Sequence, residues 1–307
     1  MTLSILVIGY GSIGKRHVEI LEKRNKVSSI AILTRQRNLP YKTISSLDEI
    51  SSLNPDYIII ASPTNQHFGQ LMFIEENFKG KKILVEKPIF HSVFDLKIAS
   101  NEVYVGYNLR FHPMLNKIKT VCEGKDIWTM NVFCGSFLPD WRPDRDYRES
   151  YSAKKESGGG VLLDLSHELD YIQWLAGPLE IDYVVNGKIS NLAITSDDYF
   201  SFSGRGQYDT YININLNYFT RKPIRRIIID GQDISIQADL IENNLNIIED
   251  GKELHFSWSD HNINDTYEAQ HQAVINGDLN NICTYKEGLR IINLIKKIQE
   301  MNKNLYK

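Results

Sequence analysis

Gly9-Tyr10-Gly11-Ser12-Ile13-Gly14 carries three glycines at the spacing G-x-G-x-x-G. At that spacing Gly9 permits a tight turn, Gly11 lets the backbone approach a pyrophosphate, and Gly14 lets a helix pack closely on a strand. The pyrophosphate then lies on the helix start, where free N–H groups favour an anion. About 20 residues further on, an NAD site offers Asp or Glu to the ribose 2′-OH. Here the chain reads Leu33-Thr34-Arg35-Gln36-Arg37, with no carboxylate. A threonine hydroxyl and an arginine fork suit a 2′-phosphate, so NADP(H) is the expected cofactor and NAD(H) remains admissible. The bland alternative is that Arg35 and Arg37 belong to a solvated turn.

Three other groups could do chemistry. Asp164 and His167 stand three residues apart on a predicted helix and so share a face. Imidazole exchanges protons near neutrality, which makes His167 the candidate general acid/base. Asp164 would orient that ring or bind a substrate hydroxyl. Asn108 and Arg110, in Gly106-Tyr107-Asn108-Leu109-Arg110-Phe111, are candidate cofactor or substrate contacts, and Phe111 is expected in the core. Trp141-Arg142-Pro143-Asp144-Arg145-Asp146-Tyr147-Arg148 is dense in arginine and aromatics. Through Trp141 and Arg142 it could hold an acidic or polyhydroxylated substrate; alternating charge equally describes a solvated loop.

Elements must hold these groups in place. Ser4–Ile8 is an apolar run that stops at Gly9, the pattern of a central parallel strand. Ile13, His17, Ile20 and Leu21 then recur at helical spacing. Ser29–Leu33, Asp56–Ala61, Lys82–Glu86 and Val103–Tyr107 are further strands, separated by helix-length segments. Residues 1–118 therefore read as β-α-β units with a parallel sheet. From 119 the rhythm changes. Residues 126–135 alternate like a strand, and Ser157–Gly177 holds one helix opened by Gly158-Gly159-Gly160. Tyr199–Ser203, Tyr208–Phe219, Arg225–Ile229 and Ile234–Ala238 read as successive strands, with Asp230-Gly231 and Asp250-Gly251 as hairpin turns. Helices are expected over Asp265–Ile275 and Lys286–Met301. The prediction is an α/β chain: a dinucleotide-binding domain over 1–118, then an α+β domain over 119–307 with an open, mainly antiparallel sheet. The last helix is free to pack back on the first domain.

Composition narrows the class. With 307 residues there is room for two domains, and 42 % hydrophobic and 24 % charged residues are ordinary globular values. The net charge of -3 lacks the basic excess of a protein that lives on nucleic acid or anionic membrane. Cys122, Cys134 and Cys283 are odd in number and form no C-x-x-C pair. Neither a disulfide framework nor a cysteine zinc site is expected, and no other metal site. Apolar runs such as Ile58–Ala61 fall far short of the ~20 residues that span a bilayer. No export signal is recognisable, so the expectation is a soluble, cytoplasmic protein.

The ordered set of motifs resembles the glucose-fructose oxidoreductase / inositol dehydrogenase (Gfo/Idh/MocA) family of NAD(P)-dependent oxidoreductases. Four pieces carry the likeness: Gly9–Gly14 with Lys15-Arg16-His17; Ala61-Ser62-Pro63-Thr64 with His67; Glu86-Lys87-Pro88; and Gly158-Gly159-Gly160 leading to Asp164, His167 and Asp170. The resemblance implies a Rossmann fold and a hydride exchanged with a sugar CH–OH or C=O. It makes Lys87 the active-site lysine, whose ammonium would stabilise alkoxide charge, with Pro88 admitting a cis peptide after it. Gly9–Gly14, Ser62, Pro63, Thr64, His67, Glu86 and Lys87 would surround the cofactor. Arg110, Trp141, Arg142, Asp164 and His167 would meet a sugar-like substrate. The family more often places four positions between Asp and His; the shorter spacing here leaves the role of Asp164 open. Relatives pair subunits through the open sheet, which implies a homodimer or homotetramer. Two other functions sit within the resemblance: a sugar-responsive regulator that binds NADP without turnover, and a glycosidase that uses NAD transiently.

Overall fold

The computed structural model describes residues 2–305. The first elements are β1 (Leu3–Ile8), α1 (Ser12–Leu21), β2 (Val27–Leu33), β3 (Lys42–Ile44), α2 (Ile50–Leu53), β4 (Tyr57–Ile60), α3 (Thr64–Asn77), β5 (Lys82–Val85), β6 (Glu102–Val105) and α4 (Pro113–Cys122). There follow β7 (Ile127–Gly135), α5 (Val161–Asp164), α6 (Ser166–Ala176), β8 (Glu180–Gly187), β9 (Tyr199–Arg205), β10 (Tyr211–Asn217) and β11 (Ile224–Gly231). Last come β12 (Ile234–Asp239), β13 (Asn244–Glu249), β14 (Lys252–Ser257), α7 (Ile263–Asn276), β15 (Cys283–Thr284) and α8 (Tyr285–Leu305). Two compact units result, one of Met1–Phe111 with Asn262–Ile292, the other of His112–His261 with residues 293–305. Each unit is thus discontinuous in sequence, and α7 belongs with the N-terminal elements.

The first unit holds a seven-stranded sheet in the order β15-β6-β5-β4-β1-β2-β3. Its strands run parallel except β15, which pairs antiparallel with β6. Strand β4 is buried at every position, which is why Tyr57–Ile60 reads as a continuous apolar run. The register sets the site. Leu33 pairs Ile8, Ile8 pairs Ile60, Ile60 pairs Val85 and Val85 pairs Val105. The residues that follow, Thr34, Gly9, Ala61, Glu86 and Gly106, therefore form one row along the carboxyl edge of the sheet.

One expectation for this unit fails. No helix separates β5 from β6; the chain between them is irregular. Phe90 is fully buried there, and Phe94 stacks on Phe68 with ring centroids 4.2 Å apart. Aromatic packing onto α3 holds that crossover in place of helical hydrogen bonds.

The second unit is built on an eight-stranded sheet, β14-β13-β12-β11-β7-β10-β9-β8. All its pairings are antiparallel except β7 with β10. Inward residues such as Phe200, Phe202, Ile212 and Ile214 alternate with outward ones, so one face is core and the other carries Trp128, Phe133, Tyr211 and Ile228 exposed. The single helix expected over 157–177 is a second correction. Helix α5 ends at Asp164, Leu165 leaves helical geometry (φ -96°, ψ 28°), and α6 starts at Ser166. Asp164 and His167 thus stand on different helices and share no helical face. The cause is tertiary: Asp197 accepts from Leu162 N at 3.1 Å, and two tyrosines hold the Asp164 carboxylate.

Candidate active site

In the first unit the glycine turn has the shape that a dinucleotide needs. Gly9 sits at φ +96°, and a Cβ there would lie 2.7 Å from the Ala61 carbonyl oxygen. A Cβ on Gly14 would overlap the Gly9 carbonyl. Gly11, by contrast, faces open space. It also immediately precedes α1 as its N-cap, and the helix's first turn has no side-chain cap and no acidic residue. Uncapped N–H groups beside open space are what a pyrophosphate fits. Ser12 is exposed, Tyr10 and Ile13 are half-buried, and the latter two pack on the core cluster below.

The neighbouring turns are tied to this one. Gln36 N donates to Thr34 Oγ1 at 3.1 Å, while Gln36 Nε2 donates to the Tyr10 carbonyl at 2.9 Å. Arg35 and Arg37 are exposed. Pro63 and Thr64 open α3. Ser62 Oγ donates to Gln70 Oε1 at 2.6 Å. His67 is buried between the carbonyls of Ser62 (2.9 Å) and Ile89 (3.1 Å), and that burial lowers its proton affinity. A neutral His67 ring has one N–H and so donates to one of these carbonyls, packing against the other.

Lys87 follows β5, half-buried, with a cis peptide to Pro88. Glu86 before it terminates a buried chain of hydrogen bonds. Tyr57 Oη lies 2.9 Å from His271 Nδ1, His271 Nε2 lies 2.9 Å from His17 Nδ1, and His17 Nε2 lies 2.9 Å from Glu86 Oε1. Burial keeps His271 well below the usual histidine range, hence neutral. A neutral imidazole has one N–H and one acceptor nitrogen, so His271 donates to one of its two neighbours, Tyr57 or His17, and accepts from the other. The Glu86 carboxylate also fills the space where a Cβ on Gly106 would lie, 2.7 Å away. Asn108 and Arg110, expected to face ligand, are buried and engaged: Asn108 Nδ2 donates to Thr266 Oγ1 at 2.6 Å, and Arg110 pairs with Glu287 at 2.8 Å.

The second unit gathers a different set. Asp164 accepts from Tyr151 Oη at 2.5 Å and from Tyr218 Oη at 2.6 Å. Burial, reinforced by that carboxylate, pushes both phenols well above their usual range, so they remain donors. Trp141 meets Tyr218 edge-on at 5.2 Å and donates from its indole to Ser136 Oγ at 2.8 Å. His167 is half-buried in the first turn of α6, Asp170 is buried one turn on, and Arg142 is exposed. Tyr151, Tyr218, Tyr57 and His271 were invisible as site residues in sequence. Tyr151 lies just beyond the dense loop, and no spacing marks any of the four. Among the described residues, no cluster of His, Cys, Asp and Glu could hold a metal ion. Nor is any described helix long and apolar enough to cross a membrane.

Comparison with known proteins decides the family. The oxidoreductase-family NAD-binding Rossmann model matches residues 3–103, and the C-terminal alpha/beta domain model of that family matches residues 135–304. The chain belongs to the Gfo/Idh/MocA oxidoreductase family. Relatives are distant and partial. The uncharacterized oxidoreductase YrbE of Bacillus subtilis is 29 % identical over 190 residues, covering 56 % of this chain and 53 % of that one. The scyllo-inositol 2-dehydrogenase (NAD(+)) of the same organism is 28 % identical over 144 residues, 44 % of this chain and 40 % of its own. The chain thus spans about half the length of these relatives. In fold it is similar to UDP-N-acetylglucosamine 3-dehydrogenase GnnA from Acidithiobacillus ferrooxidans, with TM-score 0.78, 18 % identity and 97 % of both chains covered. This family member therefore pairs a Rossmann NAD-binding domain with a C-terminal alpha/beta domain.

Proposed function

We propose that this Gfo/Idh/MocA protein oxidises or reduces a CH–OH/C=O centre of a sugar or nucleotide sugar, with NADP(H) preferred. The observation that carries this is the edge row of the first sheet, which sets the open glycine turn, the Thr34 turn and the Glu86-Lys87 strand end in one register. The named relatives act on inositol and on a UDP-sugar, which supports the substrate class. When bound, the dinucleotide supplies the redox chemistry, exchanging hydride at nicotinamide C4. Lys87 stabilises charge on the reacting oxygen, and His167 takes the hydroxyl proton or returns it in the reverse direction. Asp164, held by two phenols, acts as a fixed hydrogen-bond acceptor for a substrate hydroxyl. The exposed Trp128, Tyr211 and Ile228 support self-association through the outer face of the second sheet, for which sedimentation should give a mass above the monomer.

Single-turnover hydride transfer, with sugar and cofactor already bound, tests the assignment. His167→Ala should slow it about 10²–10⁴-fold with cofactor affinity nearly unchanged. Lys87→Ala should slow it as well, since it acts on charge that grows in the transition state. Parental rates in both variants would refute the assignment. Cofactor binding without transfer to any sugar or nucleotide sugar would point instead to a regulator.

A further inference from the structure

The parallel pair β7 and β10 is the exception in the second sheet, and its carboxyl ends leave side by side. The pairing continues past the strands, with Ser136 N donating to the Asn217 carbonyl (3.2 Å) and Leu138 N to the Tyr218 carbonyl (2.9 Å). The turn after β10 is built rather than loose. Asn217 Oδ1 accepts from Phe219 N (3.1 Å), Thr220 N (2.9 Å) and Thr220 Oγ1 (2.8 Å). Gly135 is needed against it, because a Cβ there would lie 2.6 Å from Thr220 Oγ1. That turn delivers Arg221, whose guanidinium carbon lies 3.7 Å from the centroid of the Phe137 ring. Stacking occupies a face of the guanidinium and leaves its N–H edges, which match a carboxylate or phosphate fork to fork. Among the described residues Arg221 has no acidic partner.

The same two segments reach the Asp164 cluster. Four residues after Phe137 comes Trp141, edge-on to Tyr218, and Tyr218 bonds Asp164. Arg142 follows, with its charge acting on the Tyr151 phenol. Cationic and aromatic groups thus run from the carboxylate that would bind a sugar hydroxyl to an unpaired, pre-oriented guanidinium.

We propose that Arg221, stacked on Phe137, is an anion-recognising residue of the substrate site, and that the substrate carries an oxyanion. That oxyanion is either a sugar carboxylate or the diphosphate of a nucleotide sugar. The proposal rests on the oxidoreductase reading for calling the ligand a substrate; the binding itself does not depend on hydride transfer. Titration calorimetry on the full chain, saturated with NADP⁺, tests it with UDP-glucose, glucuronate and uncharged myo-inositol. Arg221→Gln should raise the Kd of the charged probe that binds by about 10- to 100-fold and leave any inositol binding unchanged. Arg221→Lys, which keeps the charge and loses the fork, should fall between. Arg226→Gln, on the outer sheet face, should match the parent. A diphosphate is indicated if UDP-glucose shows the effect, a carboxylate if glucuronate does. The proposal fails if neither charged probe binds, if Arg221→Gln leaves their Kd unchanged, or if inositol binding weakens in parallel. An Arg221-dependent Kd with no hydride transfer would instead keep the anion site and remove the oxidoreductase reading.

Discussion

At the scale of single residues, the side chains sort by whether their polar atoms are already taken. Asn108, Arg110 and His67 carry the chemistry of ligand contacts, yet each is buried with its hydrogen bonds made inside the first unit. Arg35 is exposed beside the glycine turn. Arg35→Asp should therefore change cofactor choice and little else. Under the proposed NADP(H) preference it should remove a charge-assisted contact worth about 1.5–3 kcal/mol and add repulsion toward a 2′-phosphate. The expected result is a preference for NADP⁺ over NAD⁺ in the parent, lost or reversed in the variant. Equal dissociation constants for the two cofactors in the parent protein would sink the cofactor assignment. The residue types at 34–37 carried this argument in sequence, because a missing carboxylate is as readable as a present one.

At the scale of elements, the decisive contacts join segments far apart in the chain. Helix α7 reaches the end of β5 through His271 and His17. Replacing His271 by Phe leaves Tyr57 Oη and His17 Nδ1 without their interior partner. A stranded buried polar group costs about 1–3 kcal/mol, so two should cost about 2–6 kcal/mol in urea unfolding. Tyr57→Phe removes only the terminal hydroxyl and should cost about 1–3 kcal/mol. Parental stability in His271→Phe would show that the chain contributes nothing. The break at Leu165 teaches the same lesson. Local periodicity over 157–177 supports one helix, but Asp197 and two tyrosines, 13 and 54 residues from Asp164, decide otherwise. A pattern read within a window contains no information about an acceptor outside it.

For the whole molecule, the buried histidines set how stability depends on pH. Burial lowers the proton affinity of His67, His112 and His271, taking His112 down to about 4. In the unfolded chain each would take up a proton near pH 6.5. Below that pH the unfolded state binds more protons, so stability rises with pH and is lost as pH falls from about 6.5 towards the folded values. Three such rings give a slope of at most about 4 kcal/mol per pH unit, roughly three times the single-proton value. Asp197, whose buried carboxyl holds its proton to higher pH, works in the opposite sense as one group against three. Chemical unfolding at pH 7.5, 6 and 5 should show stability falling at each step. A flat profile would mean that the folded protein protonates these rings without loss.

The Rossmann half and its glycine turn were legible because they depend on local matters: an apolar run, a spacing of three glycines, a helical period. The open antiparallel sheet was legible from alternation, and the parallel β7–β10 pair inside it was not, because strand direction leaves no mark on a period of two. Tertiary structure alone decided that α7 joins the first unit, that Asp164 is clamped by Tyr151 and Tyr218, and that Arg221 rests on Phe137. Each of these depends on which distant groups become neighbours. That is settled when hydrophobic burial selects one packing and every buried polar atom must find its partner within it.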